Sequence, residues 1–131
     1  MARYFYPALF HPEEVGYSVS VPDLDGCFTE GRTVEEAYTN CVEAVGLYLE
    51  ELDAEHEAYP KPSDPRSLKK EGDDFFAVVE FDPLAYRRRH DTRAVKKTLT
   101  IPSWLNAEAE SRHINFSGVL QEALKDRLGI Q

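Results

Sequence analysis

The chain has 131 residues, enough for one domain or two small ones. Its formal net charge of −9, taken whole, argues against nucleic-acid binding, and no stretch nears the roughly 18 continuous apolar residues of a membrane span. The charge is unevenly spread, however: residues 87–131 hold nine Lys and Arg against five Asp and Glu, a net of +4, while residues 1–86 hold six against nineteen, a net of −13.

Such asymmetry suggests two modules with different partners, the acidic one facing a basic protein or simply solvent, the basic one an acidic polymer. Residues 1–10 form a short aromatic segment and no leader, so the expected compartment is the cytoplasm. Cys27 and Cys41 would then be reduced. Neither has a His or Cys at metal-ligand spacing, so both read as small core residues, and no cofactor or metal is expected.

In chain order, Arg3–Phe10 reads as a strand with apolar residues on both faces, hence an interior strand. His11–Gly16 is a predicted turn. Tyr17, Val19 and Val21 alternate with Ser18 and Ser20, a half-buried second strand. After a turn over Pro22–Gly26, Cys27–Glu30 is a short third strand. The first helix is the best specified element. Thr33 and Glu36 form a capping box, and Val34, Ala37, Tyr38, Cys41, Val45, Tyr48, Leu49 and Leu52 make a sustained stripe. Asp53–Asp74, with Pro60, Pro62 and Pro65, reads as a loop. Phe75–Phe81 is apolar on both faces and is expected inside the sheet. The β-β-β-α-β order predicts an α+β sandwich over residues 1–82.

Tyr86–Ala94, with Arg87-Arg88-Arg89-His90, reads as a basic hinge. Lys96–Ile101 alternates again, with Lys96, Thr98 and Thr100 on one side and Leu99 and Ile101 on the other. Pro102 stops it. Two helices follow: one capped by Ser103 and burying Trp104, Leu105 and Ala109, the other capped by Asn115 and burying Phe116, Val119, Leu120, Ala123, Leu124 and Leu128 before Gly129. A strand and two helices in under about 40 residues need disulfides, a metal or a partner chain, and only the last remains. Two such strands would pair as a ribbon with Lys and Thr outward, a shape that fits the DNA major groove. The free amides at Phe116 and Ser117 offer a phosphate clamp at a helix N-terminus.

This strand-helix-helix resembles the ribbon-helix-helix repressors. The stretch "TLTIPSWLNAEAESRHINFSGVLQEALKDRLGI" (Thr98–Ile130) looks like the C-terminal domain of HicB antitoxins, and "PDLDGCFTEGRTVEEA" (Pro22–Ala37) is similar to that family's N-terminal signature. The resemblance implies an antitoxin with a partial, inactive RNase H-like domain over 1–86 that masks a small basic HicA-like mRNA-cleaving toxin. It implies a basic hinge over 87–93 and a dimeric ribbon-helix-helix over 94–131 that binds operator DNA and represses its own operon. Carried onto this chain, the base-reading residues are Lys96, Thr98 and Thr100, and the phosphate-contacting residues Asn115, Phe116 and Ser117. Toxin-contacting residues are not implied. Three positions depart from the pattern: His113 where a Gly commonly ends the inter-helix turn, Asp25 for a usual Pro, and Arg32 for an acidic or polar residue.

A nuclease reading needs several inward carboxylates sharing divalent ions. Arg3–Phe10 offers none, Glu36 is explained by capping, and Glu43 lies off the apolar stripe, so no enzyme is expected. The four histidines fall in predicted loops or at element ends and read as exposed. The alternative to an antitoxin is a free-standing ribbon-helix-helix regulator whose acidic half senses a ligand or protein, although no glycine-rich loop or polar cluster marks such a pocket.

Overall fold

The computed structural model describes residues 2–131, in two compact units: one running to Thr92, the other spanning Arg93–Gln131. The first unit is built from β1 (Tyr4–Pro12), β2 (Tyr17–Ser20), β3 (Phe28–Gly31), α1 (Val34–Ala54), β4 (Phe75–Phe81) and α2 (Pro83–His90). Its antiparallel sheet has the order β3-β2-β1-β4. One face of the sheet carries Tyr6, Ala8, Phe10, Val19, Val79 and Phe81, which bury against Ala37, Cys41, Val45 and Leu49 of α1. The alternation along each strand and the 3.6-residue period of the helix thus converge on one two-layer core.

Several boundaries differ from expectation. β1 continues through His11 and Pro12, because these two pair with Ser18 and Tyr17; the predicted turn shrinks to the residues around Gly16. β4 has the expected bounds but lies at the sheet's edge, paired only with β1. Its two-sided apolarity arises differently. Val79 and Phe81 enter the core, while Val78 stays 45 % exposed on the face that carries no helix. Pro7 is accommodated in β1 because β2 pairing starts only at Leu9.

Of the predicted capping box at α1, the Thr33 half forms: Thr33 Oγ1 accepts the Glu36 amide at 3.1 Å. The stripe's middle is fully buried, but Val34 at its start is exposed. The helix ends on His56 in the left-handed region (φ 57°), with the Glu57 amide returning to the Leu52 carbonyl at 2.9 Å. The following loop holds a 3₁₀ turn over Pro65–Ser67 and is tied down. The Tyr6 hydroxyl donates to the Pro60 carbonyl (2.7 Å), and Asp23 accepts from both the amide and hydroxyl of Ser63. Burial pushes the Tyr6 phenol up to about 12, so it donates throughout the neutral range. Both cysteines are buried and free, and burial lifts the Cys41 thiol to about 12, far from a reactive thiolate.

Residues 87–90, expected in a hinge, form the last turn of α2. Asp82 caps this helix through the Leu84 and Ala85 amides, with Pro83 at the first helical position. Tyr86 lies on α1 at Gly46, where an added Cβ would stand 2.5 Å from the ring.

The second unit contains α3 (Ser103–Ser111) and α4 (Phe116–Leu128). Pro102, not Ser103, holds the N-cap position of α3, with no side-chain cap bond; Ser103 is already helical. The inter-helix turn closes on His113 in the left-handed region (φ 54°), with the Ile114 amide bonded to the Ala109 carbonyl (3.1 Å). This is the conformation that the departure from Gly predicted. Residues 91–102 form no helix or strand in the single chain. The strand expected over 96–101 is therefore absent from the single chain, where no neighbouring backbone supplies its ladder bonds.

Candidate protein and DNA surfaces

The first unit presents two features that no linear motif announces. One is a groove of about 820 Å³ between α1, the end of β4 and α2. Tyr38, Val42, Leu47, Phe81, Ala85 and Tyr86 supply its apolar wall, Glu43 and Glu50 stand along its α1 side, and Arg89 lies on its α2 side. The Tyr86 hydroxyl donates to Glu50 Oε2 at 2.7 Å; burial first, and this bond second, raise its phenol to about 12. His90 stacks on the same ring at 4.2 Å between centroids. The second feature is the sheet face turned away from α1. There Phe5, Val78 and Phe28 remain 45 %, 45 % and 73 % exposed. On this face the register aligns Leu9 with Phe76 on one side and Ser20 on the other, and Ser20 with Phe28.

At the end of that face His11 Nδ1 meets Asp74 Oδ1 at 2.5 Å, bridging the end of β1 and the start of β4. Asp74 is the buried polar residue of the unit. The hydrogen bond and charge of Asp74 hold the His11 imidazole above its ordinary range. His11 is therefore not merely exposed, as its position at an element end suggested. Among the described residues, no group of three or more His, Cys, Asp or Glu is arranged to hold a metal ion.

In the second unit the structure places Lys96, Thr98 and Thr100 on the exposed segment before α3. Asn115 Oδ1 accepts the Gly118 amide at 3.1 Å, capping α4. Phe116 and Ser117 occupy that helix's first turn, where backbone amides have no helical carbonyl to bond. The two groups of residues thus belong to one small unit. The predicted stripes are not covered within it: Trp104 is 69 % exposed, Val119 and Leu124 each 51 %, and Leu128 65 %. Sequence reasoning missed the first unit's groove, whose lining joins α1 to the consecutive β4 and α2 across a long intervening stretch of chain. The one available signal was Asp82-Pro83, a cap followed by proline, which marks the start of α2.

The sequence pattern of the HicB-like antitoxins of bacterial toxin–antitoxin systems matches residues 6–124. The chain belongs to that family. An uncharacterized 14.9 kDa protein of Haemophilus phage HP1 is 33 % identical over 102 residues, covering 76 % of this chain and 74 % of the phage protein. Among solved structures, a chain of a toxin–antitoxin complex from Streptococcus pneumoniae superposes with a TM-score of 0.58 at 27 % identity, covering 96 % of this antitoxin and 99 % of that chain. A chain of the HicA3 and HicB3 toxin–antitoxin complex gives a TM-score of 0.51 at 29 % identity, covering 60 % of this antitoxin and 99 % of that chain. No helix among the described residues is long and apolar enough to cross a membrane.

Proposed function

We propose that this HicB-like antitoxin neutralises a small basic HicA-like toxin through its first unit and represses its own operon through its second. The first unit is the toxin-binding half, a partial RNase H-like fold that acts by masking its partner rather than by catalysis, in the cytoplasm. Its acidity suits a basic protein, and relatives of this fold are found in toxin–antitoxin complexes. In the second unit, two copies pair their 96–101 segments as an antiparallel ribbon, covering the stripes of α3 and α4. Lys96, Thr98 and Thr100 then face the major groove of operator DNA, and Asn115, Phe116 and Ser117 hold a flanking phosphate.

The observation that carries the reading is the uncovered stripe of the second unit. Two helices whose large apolar side chains, Leu120 apart, are substantially exposed lack the burial that holds a fold this small, and a second copy supplies it. Operator binding by the full chain and its variants tests this. Replacing Thr98 or Thr100 with Ala should cost about 1–3 kcal/mol on the specific site and little on random DNA. Replacing Lys96 should weaken binding to all sequences and lower the salt slope by about one if it meets a phosphate. Equal losses on specific and random DNA for the Thr variants refute the ribbon placement. A fragment without residues 94–131 that still binds the operator refutes the division of labour.

A further inference from the structure

The groove beside α1 has a composition that a solvated helix face does not explain. Glu43, Leu47 and Glu50 fall at i, i+4 and i+7, so they form one line along α1. All three line the groove, and Leu47 is 57 % exposed between its two carboxylates. Across from them α2 brings Arg89 and His90 to the rim, while the Glu80 carboxylate turns to the helix-free face of β4, where Arg3 Nη1 holds it at 3.0 Å. The wall is already fixed: the Tyr86 and Tyr38 hydroxyls are bonded to Glu50 and to the Val78 carbonyl (3.3 Å). Gly46 lets the Tyr86 ring lie flush on α1, which shapes the groove's floor. An apolar trough with two carboxylates along its α1 bank matches an amphipathic cationic segment. The aliphatic stem of such a Lys or Arg lies on Leu47, while its charge reaches Glu43 or Glu50.

We infer that this groove is where the basic toxin docks, through a segment that pairs an apolar side chain with flanking Lys or Arg. This rests on the antitoxin reading above and adds the surface that the sequence left unassigned. The competing surface is the helix-free sheet face. Its exposed Phe5, Val78 and Phe28 offer apolar area, but the carboxylate beside Phe5, that of Glu80, is already held by Arg3, whereas Glu43 beside Leu47 has no such cation on it among the described residues.

The test uses the full-length chain and, as probe, the small basic protein encoded beside it. The probe is purified from the co-expressed pair and rebound to fresh antitoxin in a calorimeter. Glu43→Lys and Leu47→Asp alter side chains exposed to solvent, so thermal melting of the free antitoxin should barely change. Each should weaken binding about 30-fold or more, as removal of an interface hot spot does. Glu43→Gln should weaken it less and flatten its salt dependence, which damage to the fold would not do. Phe28→Asp should bind as the wild type does. If Phe28→Asp abolishes binding and the groove variants do not, the groove assignment is wrong while the antitoxin reading stands. If the wild-type chain fails to bind the probe, the antitoxin reading itself falls, and the groove assignment with it.

Discussion

The two units carry helices of the same pattern and treat them differently. In α1 the stripe residues Ala37, Cys41, Val45 and Leu49 are all at 0 % exposure beneath the sheet. In α4 the stripe residues Phe116, Val119, Leu124 and Leu128 are 44–65 % exposed, and the helix has no buried residue at all. Amphipathic periodicity tells which face of a helix seeks cover. It does not tell whether the cover lies in the same chain. The first unit closes its core within the chain, and its stability should be a property of one molecule. The second should owe its stability to concentration.

The largest effects should come from cutting each stripe in turn. Leu49→Ala removes a side chain from the closed core and should cost about 2–5 kcal/mol, independent of protein concentration. Leu124→Ala removes a half-exposed one and, in an isolated chain, should cost a few tenths. If a second copy covers it, the loss approaches the Leu49 value and the midpoint moves with dilution. Denaturant titrations at several concentrations separate these outcomes. Trp104, the one tryptophan of the chain, lies in the second unit, so its emission follows that unit alone. Emission that stays red-shifted and unchanged on concentration would break the comparison.

A smaller effect sharpens the account of how the first unit closes. Gly46→Ala gains about 1 kcal/mol in helix propensity, yet its Cβ must displace the Tyr86 ring from 2.5 Å. Overpacking of this kind costs about 1–3 kcal/mol, so a modest net destabilisation is expected in thermal melts. The Tyr86 phenol should also lose the cover that raises it, and ultraviolet titration would show it ionising below about 12. A stabilised variant with an unchanged phenol would mean that α2 is free to move off α1.

These positions also show what was legible from residues alone. The Thr33 cap, the α1 stripe, the Asn115 cap and the bounds of β4 are local signals, and each needs only a few neighbouring residues. The place of β4 in the sheet is not local. Phe76 and Val78 make it look two-sided, and only the tertiary arrangement shows that their face has no cover. Likewise Arg87-Arg88-Arg89 reads as linker by charge, although Asp82-Pro83 had already set a helix start before it. The groove was least legible, because Leu47 looks like a stray surface apolar residue until β4 and α2 stand beside it. The 96–101 segment reads as a strand by alternation, but a strand needs a neighbouring backbone to complete its ladder, and none pairs with this segment in the single chain.

Both units end a helix on a left-handed histidine, His56 after α1 and His113 after α3. A side chain in that region costs about 1–2 kcal/mol by steric crowding, which Gly avoids at some expense in unfolded-state entropy. His56→Gly and His113→Gly should therefore each stabilise by about 0.5–1 kcal/mol. The first should appear in the concentration-independent transition and the second in the one reported by Trp104. A gain from both substitutions in a single transition would show that the units unfold together.

The smallest effect concerns the His11–Asp74 bridge. Its folded-state imidazole is held above the ordinary value of about 6.5, mainly by the Asp74 hydrogen bond and charge. The folded state therefore retains a proton that the unfolded chain releases first. The bridge's contribution is complete below about pH 6.5 and fades as the pH rises through the folded-state value. His11 is largely solvent-facing, so screening keeps the effect small. The difference in melting temperature between the wild type and His11→Asn should narrow steadily from pH 6 to pH 9, in the first unit's transition only. A difference that widens with pH would mean that Asp74 is held by the neutral imidazole. In that case the bridge is a hydrogen bond whose charge has no part in closing the sheet's open face.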